Sequence, residues 1–66
     1  VNVGKSIKVA MAMRDMNPAI LAERLVVSRQ YVSNLIHSKQ IGIGTISKLS
    51  DVFNMKVSDF LALGED

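Results

Sequence analysis

Residues 17–39 read NPAILAERLVVSRQYVSNLIHSK, and their spacing decides the fold. Asn17 before Pro18 starts a helix: Asn is a good N-cap, and a proline at the first helical position gives up only an N–H that has no intrahelical acceptor. Leu21, Ala22 and Leu25 then recur at helical spacing and predict a helix over residues 18–25. Ser28 offers a second N-cap, and Val32, Leu35 and Ile36 predict a helix over residues 29–37. Only a short Val26-Val27 connection separates the two. Helices joined so tightly must cross steeply, which requires a small side chain where they touch, and Ala22 supplies it. Val27, Val32 and Leu35 then lock the second helix against the first.

The flanking segments read as further short helices. Val3, Ile7, Ala10 and Met11 share one face of a helix predicted over residues 5–14, broken by Asp15-Met16-Asn17. Residues 38–44 read as a loop, because the glycines around Ile43 disfavour a strand there. Thr45 is expected to cap a helix over residues 46–53 that turns Ile46, Leu49, Val52 and Phe53 inward. Asn54-Met55-Lys56 forms a turn, Ser58 is expected to cap a last helix over residues 59–63, and Gly64 to end it. Met11 and Met16 suit the core, whereas Met13 falls outside it. The expected fold class is therefore all-α, a compact bundle of about five short helices forming one domain over residues 1–66, with the paired helices at residues 17–37.

Composition excludes several classes of function. Without cysteine there are no disulfides or thiolate metal sites, and His37, the one histidine, cannot build a metal site alone. Stability must come from apolar packing, for which 48% apolar residues are ample even in a 66-residue chain. No apolar run approaches the roughly 20 residues of a membrane span. Lys5, Lys8 and Arg14 interrupt any signal-like stretch, so a cytoplasmic protein away from membranes is expected. Paired carboxylates, a nucleophile beside a histidine and a phosphate-cradling glycine loop are all missing, so neither an enzyme with a small-molecule substrate nor a cofactor is expected.

Charge is unevenly spread. Residues 1–48 hold seven Lys or Arg against two acids, and residues 49–66 hold one lysine against four acids, giving +5 and −3. A basic front with an acidic tail suits a domain that meets a polyanion with one face. The exposed face of the helix over residues 29–37 carries Arg29, Gln30, Ser33 and Asn34. Arg can donate twice to guanine O6 and N7, and Gln or Asn can pair two ways with adenine N6 and N7. Arg29 and Gln30 open the helix, where a helix end entering a major groove reaches deepest, and Ser33 and Asn34 follow one turn later.

The spacing Leu21-Ala22, Val27-Ser28, Val32-Ser33 and Leu35 resembles the Cro/repressor-type (XRE-like) helix-turn-helix domains of phage and bacterial regulators. The likeness extends to Val3-Gly4 with Ile7-Lys8 before it, and to Ile46, Leu49, Val52, Phe53, Val57-Ser58 and Phe60-Leu61 after it. It implies a lambda-repressor-like DNA-binding domain that regulates transcription, most commonly as a repressor. By position it implies base contacts from Arg29, Gln30 and Asn34, and variable base or backbone contacts from Ser33 and Tyr31. It implies phosphate contacts from Ser38, Lys39 and Gln40 in the following loop and at the start of the first paired helix. Asn17 and Ser28, the two caps, fall among the phosphate-contacting candidates. Three positions depart from the family pattern. Pro18 stands where many members have a phosphate-binding Gln, which Asn17 can partly replace. Val26 stands where the turn often has Gly, so the turn is expected to differ in shape, because a β-branched residue resists positive φ. Ile36 replaces a frequently polar residue and is expected in the core or an interface.

The expected partner is a double-stranded DNA operator, bound by a homodimer on two half-sites about one helical turn apart. Ile41 and Ile43 fit either the dimer interface or the core, and Tyr31 either a contact or a partly buried wedge. His37 fits the end of its helix, where positive charge is favourable. The competing reading is a protein-interaction module such as an antitoxin-type helical domain, with the acidic end as partner surface. A DNA-binding piece of a longer regulator is a further alternative.

Overall fold

In the computed structural model, which describes residues 2–65, the paired helices occupy the residues that their caps and spacing predict. They are α2, Pro18–Leu25, and α3, Arg29–His37, preceded by α1, Val3–Met13, and followed by α4, Ile43–Val52, and α5, Val57–Ala62. No strand occurs among the described residues. Asp66, counted above in the acidic tail, lies outside them.

One apolar cluster joins all five helices. Ile7 and Ala10 of α1, Leu21 and Ala22 of α2, Val32 and Leu35 of α3, Leu49 of α4 and Phe60 of α5 are buried in it, with Phe53 just after α4. The Phe53 and Phe60 rings stack at 5.8 Å between centroids and 18° between planes, tying the end of α4 to α5. Met11 is buried, Met16 packs against the cluster and Met13 is exposed, as expected.

α3 packs on both α1 and α2. Against α1 the approach is close because Gly4 has no side chain: a Cβ there would fall onto the Ile36 carbonyl oxygen. The C-terminal end folds back in the same way. The Asn2 amide donates to the Gly64 carbonyl at 3.2 Å, and a Cβ on Gly64 would overlap the Asn2 carbonyl and Ser6 Oγ.

The structure corrects several expectations at the helix ends. α1 begins at Val3, with Asn2 Oδ1 capping the Lys5 amide at 3.0 Å. α4 begins at Ile43, so Thr45 lies inside it and the N-cap is Gly42, which has no side chain to cap with. α5 begins at Val57, so Ser58 is inside it and Lys56 is the N-cap. Gly64 does not adopt the left-handed conformation of a glycine terminator; it is needed for the close approach to Asn2. Hydroxyl residues suggested the caps, but α4 starts two residues before Thr45 and α5 one before Ser58, and neither N-cap residue makes a side-chain cap bond.

Val26 is the sharpest correction. It takes φ 60° and ψ 48°, the left-handed conformation that a glycine would occupy, so the turn keeps its compact shape. Its amide donates to the Ala22 and Glu23 carbonyls, and the Val27 amide donates to Ala22 O at 3.0 Å. Those bonds close the C-terminus of α2, and the strain of a β-branched side chain is carried to keep them.

Candidate nucleic-acid interface

The exposed side of α3 follows from its cap and its buried face. Ser28 Oγ accepts the Tyr31 amide at 3.1 Å, which fixes where the helix starts and puts Arg29 and Gln30 in its first turn. Val32 and Leu35 are buried and Ile36 half-buried against the core. With 100° between residues, Arg29, Gln30, Ser33, Asn34 and His37 fall together on the opposite arc. Arg29, Gln30, Asn34 and His37 are exposed, and Ser33 is half-buried between them. Tyr31 stands at the edge of this arc, 42% exposed. Gln30 and Asn34 are not separate: Gln30 Nε2 donates to Asn34 Oδ1 at 3.1 Å.

The expected phosphate-contacting residues are placed around this face, several with their polar atoms already engaged. Asn17 Oδ1 accepts the Ile20 amide at 2.8 Å, and Pro18 has no N–H. Of the first three helical residues of α2, only Ala19 therefore has an amide left for an anion. Asn17 keeps its Nδ2 protons and Ser28 its hydroxyl proton as donors. Ser38 is different. Its hydroxyl donates to the Gln40 carbonyl at 2.7 Å and its amide to Leu35 O at 3.2 Å. It thereby shapes the loop that carries Lys39 and Gln40, both exposed.

Two features of this surface were missed by reading the chain in one dimension. A groove of about 650 Å³ runs between the start of α1 and the end of α3, lined by Lys5, Lys8, His37 and Lys39 among others. Lys5 and Lys8 stand some thirty residues from Lys39 in sequence; only the α1–α3 packing that Gly4 permits makes them neighbours. The signal available was the excess of lysine in the first half of the chain. The second feature is the start of α4, where Gly42 leaves the first-turn amides without a side-chain cap. The expectation that Thr45 capped this helix had hidden it.

Not every basic residue belongs to this surface. Arg14 Nε donates to the Phe53 carbonyl at 2.8 Å, closing the end of α4. Arg29 lies on α3 itself, and Lys5, Lys8 and Lys39 line the groove beside it.

A family model described as Cro/C1-type HTH DNA-binding domain matches residues 6–66 of the chain. No curated protein and no solved structure matches it.

Proposed function

Because the chain belongs to the Cro/C1-type helix-turn-helix DNA-binding family and so is a DNA-binding regulator of transcription, we propose that it is a sequence-specific repressor that lays α3 in the major groove of an operator. The observation that carries this reading is the exposed arc of Arg29, Gln30, Ser33 and Asn34, held at fixed height by the Ser28 cap and backed by buried Val32 and Leu35. These side chains offer the donors and acceptors that distinguish base pairs in a major groove. Asn17, Ser28, Tyr31, Lys39, Gln40 and the Ser38-built loop hold the flanking phosphates, which orient the helix without reading sequence. Repression follows from occupying an operator that overlaps a promoter, in the cytoplasm of a bacterial or phage-infected cell.

The operator is read by two copies. One such module covers few base pairs, and family geometry places half-sites about one helical turn apart. Of the two residues that fitted either the interface or the core, Ile41 packs against the core, as do Met55 and Val57. Ile43, 71% exposed at the start of α4, remains as the anchor of a symmetric contact. Ile43→Asp should leave the fold intact and shift sedimentation on DNA from two copies per site to one.

The deciding experiment is selection of bound duplexes from a random DNA pool at two salt concentrations. A short two-fold symmetric motif is the expected outcome. Recovery of no enriched sequence at low salt would sink the repressor reading and favour a domain whose partner is a protein.

A further inference from the structure

We propose that the groove between α1 and α3 is a phosphate-binding site, in which Lys8, Lys39 and protonated His37 close on one anion. With a DNA strand as the source of that phosphate, the proposal rests on the reading of α3 as the base-facing helix. A free phosphorylated small molecule presents the same chemistry to the same groups.

Three separate segments supply the cations. Lys8 comes from α1, His37 from the end of α3, and Lys39 from the loop that the Ser38 hydroxyl shapes. All three are exposed, and among the described residues none of these side chains has an ion-pair or hydrogen-bond partner. Lys5 lines the same groove but is already engaged, so it adds charge without being needed as a contact. No carboxylate stands among the described residues that line the groove. Like charges in a concave site with low-dielectric walls focus their field, and with no counter-charge of their own they are complementary to an anion. The volume of about 650 Å³ leaves room for a phosphate group and for the side chains that turn toward it. Gathering these charges requires the close approach of α1 to the end of α3, which a side chain at Gly4 would prevent. His37 also ends the exposed arc that Arg29 begins, so the groove adjoins the face proposed to meet the bases.

His37 makes the grip depend on pH. Neutral imidazole donates through one ring N–H, whereas imidazolium donates through two and brings a charge. The charged groups that face it across the groove are Lys5 and Lys8 of α1 and Lys39 of the loop, all positive. A phosphate placed among them favours the charged form of the ring, so binding takes up a proton. Affinity should therefore be highest at low pH and fall as pH rises through about 5 to 8, the range in which histidine titrates.

The test measures affinity for a mixed-sequence duplex and for inorganic pyrophosphate, across salt concentration and from pH 6 to pH 8. It uses the wild-type protein, Lys8→Gln, His37→Gln, and Lys56→Gln as a lysine control outside the groove. The replaced residues are exposed, so folding should survive, and an unchanged melting curve checks that first. Lys8→Gln should weaken the duplex by about three- to tenfold and lower the slope of log affinity against log salt by about 1, while Lys56→Gln leaves the slope unchanged. Wild-type affinity should fall by about five- to tenfold between pH 6 and pH 8, and that of His37→Gln by about twofold or less. Pyrophosphate identifies the source. If it binds without DNA, displaces the duplex and is lost in Lys8→Gln, the groove takes a free phosphorylated ligand; if only the duplex responds to the substitutions, the groove takes a strand. A protein that binds no duplex removes the DNA reading and leaves the groove to be judged on pyrophosphate. A protein that binds duplex, but whose Lys8→Gln form matches wild type on both ligands or whose His37→Gln form keeps the full pH dependence, retains the DNA reading and overturns this proposal.

Discussion

The backbone of Gly4 lies against the carbonyl of Ile36, so close that a single methyl group at Gly4 would overlap that oxygen. This contact sets the distance between α1 and the end of α3. It also sets the width of the lysine-lined groove beside it. Glycine in a first helical turn is otherwise a poor choice, and Ala would gain up to about 1 kcal/mol in helix propensity. Backbone cannot move aside as a flexible side chain can, so overpacking by roughly 1–3 kcal/mol should win. Gly4→Ala is expected to be destabilised by about 1–2 kcal/mol in urea denaturation and to bind DNA more weakly. Gly44→Ala is the control, since a Cβ there meets nothing within 4 Å. It should be stabilised instead, and equal behaviour of the two would refute the contact.

Val26 holds a conformation that left-handed geometry makes expensive for any L residue, by roughly 1–2 kcal/mol. Its side chain recovers nothing by burial, being 89% exposed. Val26→Gly removes the strain but loosens the unfolded chain, an offset of about 0.4–1 kcal/mol. The net gain should be about 0.5–1 kcal/mol, visible as a rise of several degrees in Tm. Val26→Asn should behave similarly, because Asn tolerates this region. A fall in Tm for both would mean that Val26 makes a contact its exposure does not reveal.

Val26 also marks where reading the sequence stops. Propensity said that a β-branched residue would reshape the turn; the bonds from the Val26 and Val27 amides to the end of α2 keep the turn, and Val26 carries the strain. The paired helices were legible to the residue because Asn17-Pro18 and Ser28 are strong, local start signals. α4 and α5 were misplaced at their starts because Gly42 and Lys56 carry no such signal, while Thr45 and Ser58 carry a false one. On the proposed interface, the exposed residues of α3 follow from 3.6-residue periodicity. The Gln30–Asn34 bond needs rotamers, and the nearness of Lys5 and Lys8 to Lys39 needs the packing of α1 on α3.

Two buried serines separate satisfied from unsatisfied hydroxyls. Ser50 Oγ donates to the carbonyls of Ile46 and Ser47, at 2.9 and 3.0 Å. Ser6 Oγ, buried against Gly64, has no hydrogen-bond partner. Replacement by Ala gains roughly 0.5 kcal/mol of helix propensity in either case, since both are helical. Ser50→Ala gives back about 0.5–1.5 kcal/mol with the lost bond, so it should be near neutral. Ser6→Ala relieves an unpaired buried group and should gain about 1–2 kcal/mol. Calorimetry of the two variants side by side reads the difference, and a Ser6→Ala protein no more stable than Ser50→Ala would show that the Ser6 hydroxyl is satisfied in solution.

Three basic residues of the same formal charge should separate cleanly when affinity, salt dependence and stability are measured together. Arg29 opens the exposed arc of α3 proposed to face the bases. Arg29→Ala should lose about 1–3 kcal/mol on the selected operator, relax one base position and change little on random DNA. Lys39 sits in the loop after α3 and lines the basic groove. Lys39→Ala should weaken operator and random DNA alike and lower the slope of log affinity against log salt by about 1, the release of one counterion. Arg14 is committed to the Phe53 carbonyl. Removing it should leave the salt slope unchanged and lower stability by about 1 kcal/mol, because α4 loses the donor that closes its end and the bond is partly exposed to water. The stability loss then reaches DNA binding only through the folded fraction, so it disappears below the melting range. An Arg14→Ala protein that melts like wild type but has a shallower salt slope would place Arg14 on the phosphates and break the assignment of its charge to the fold.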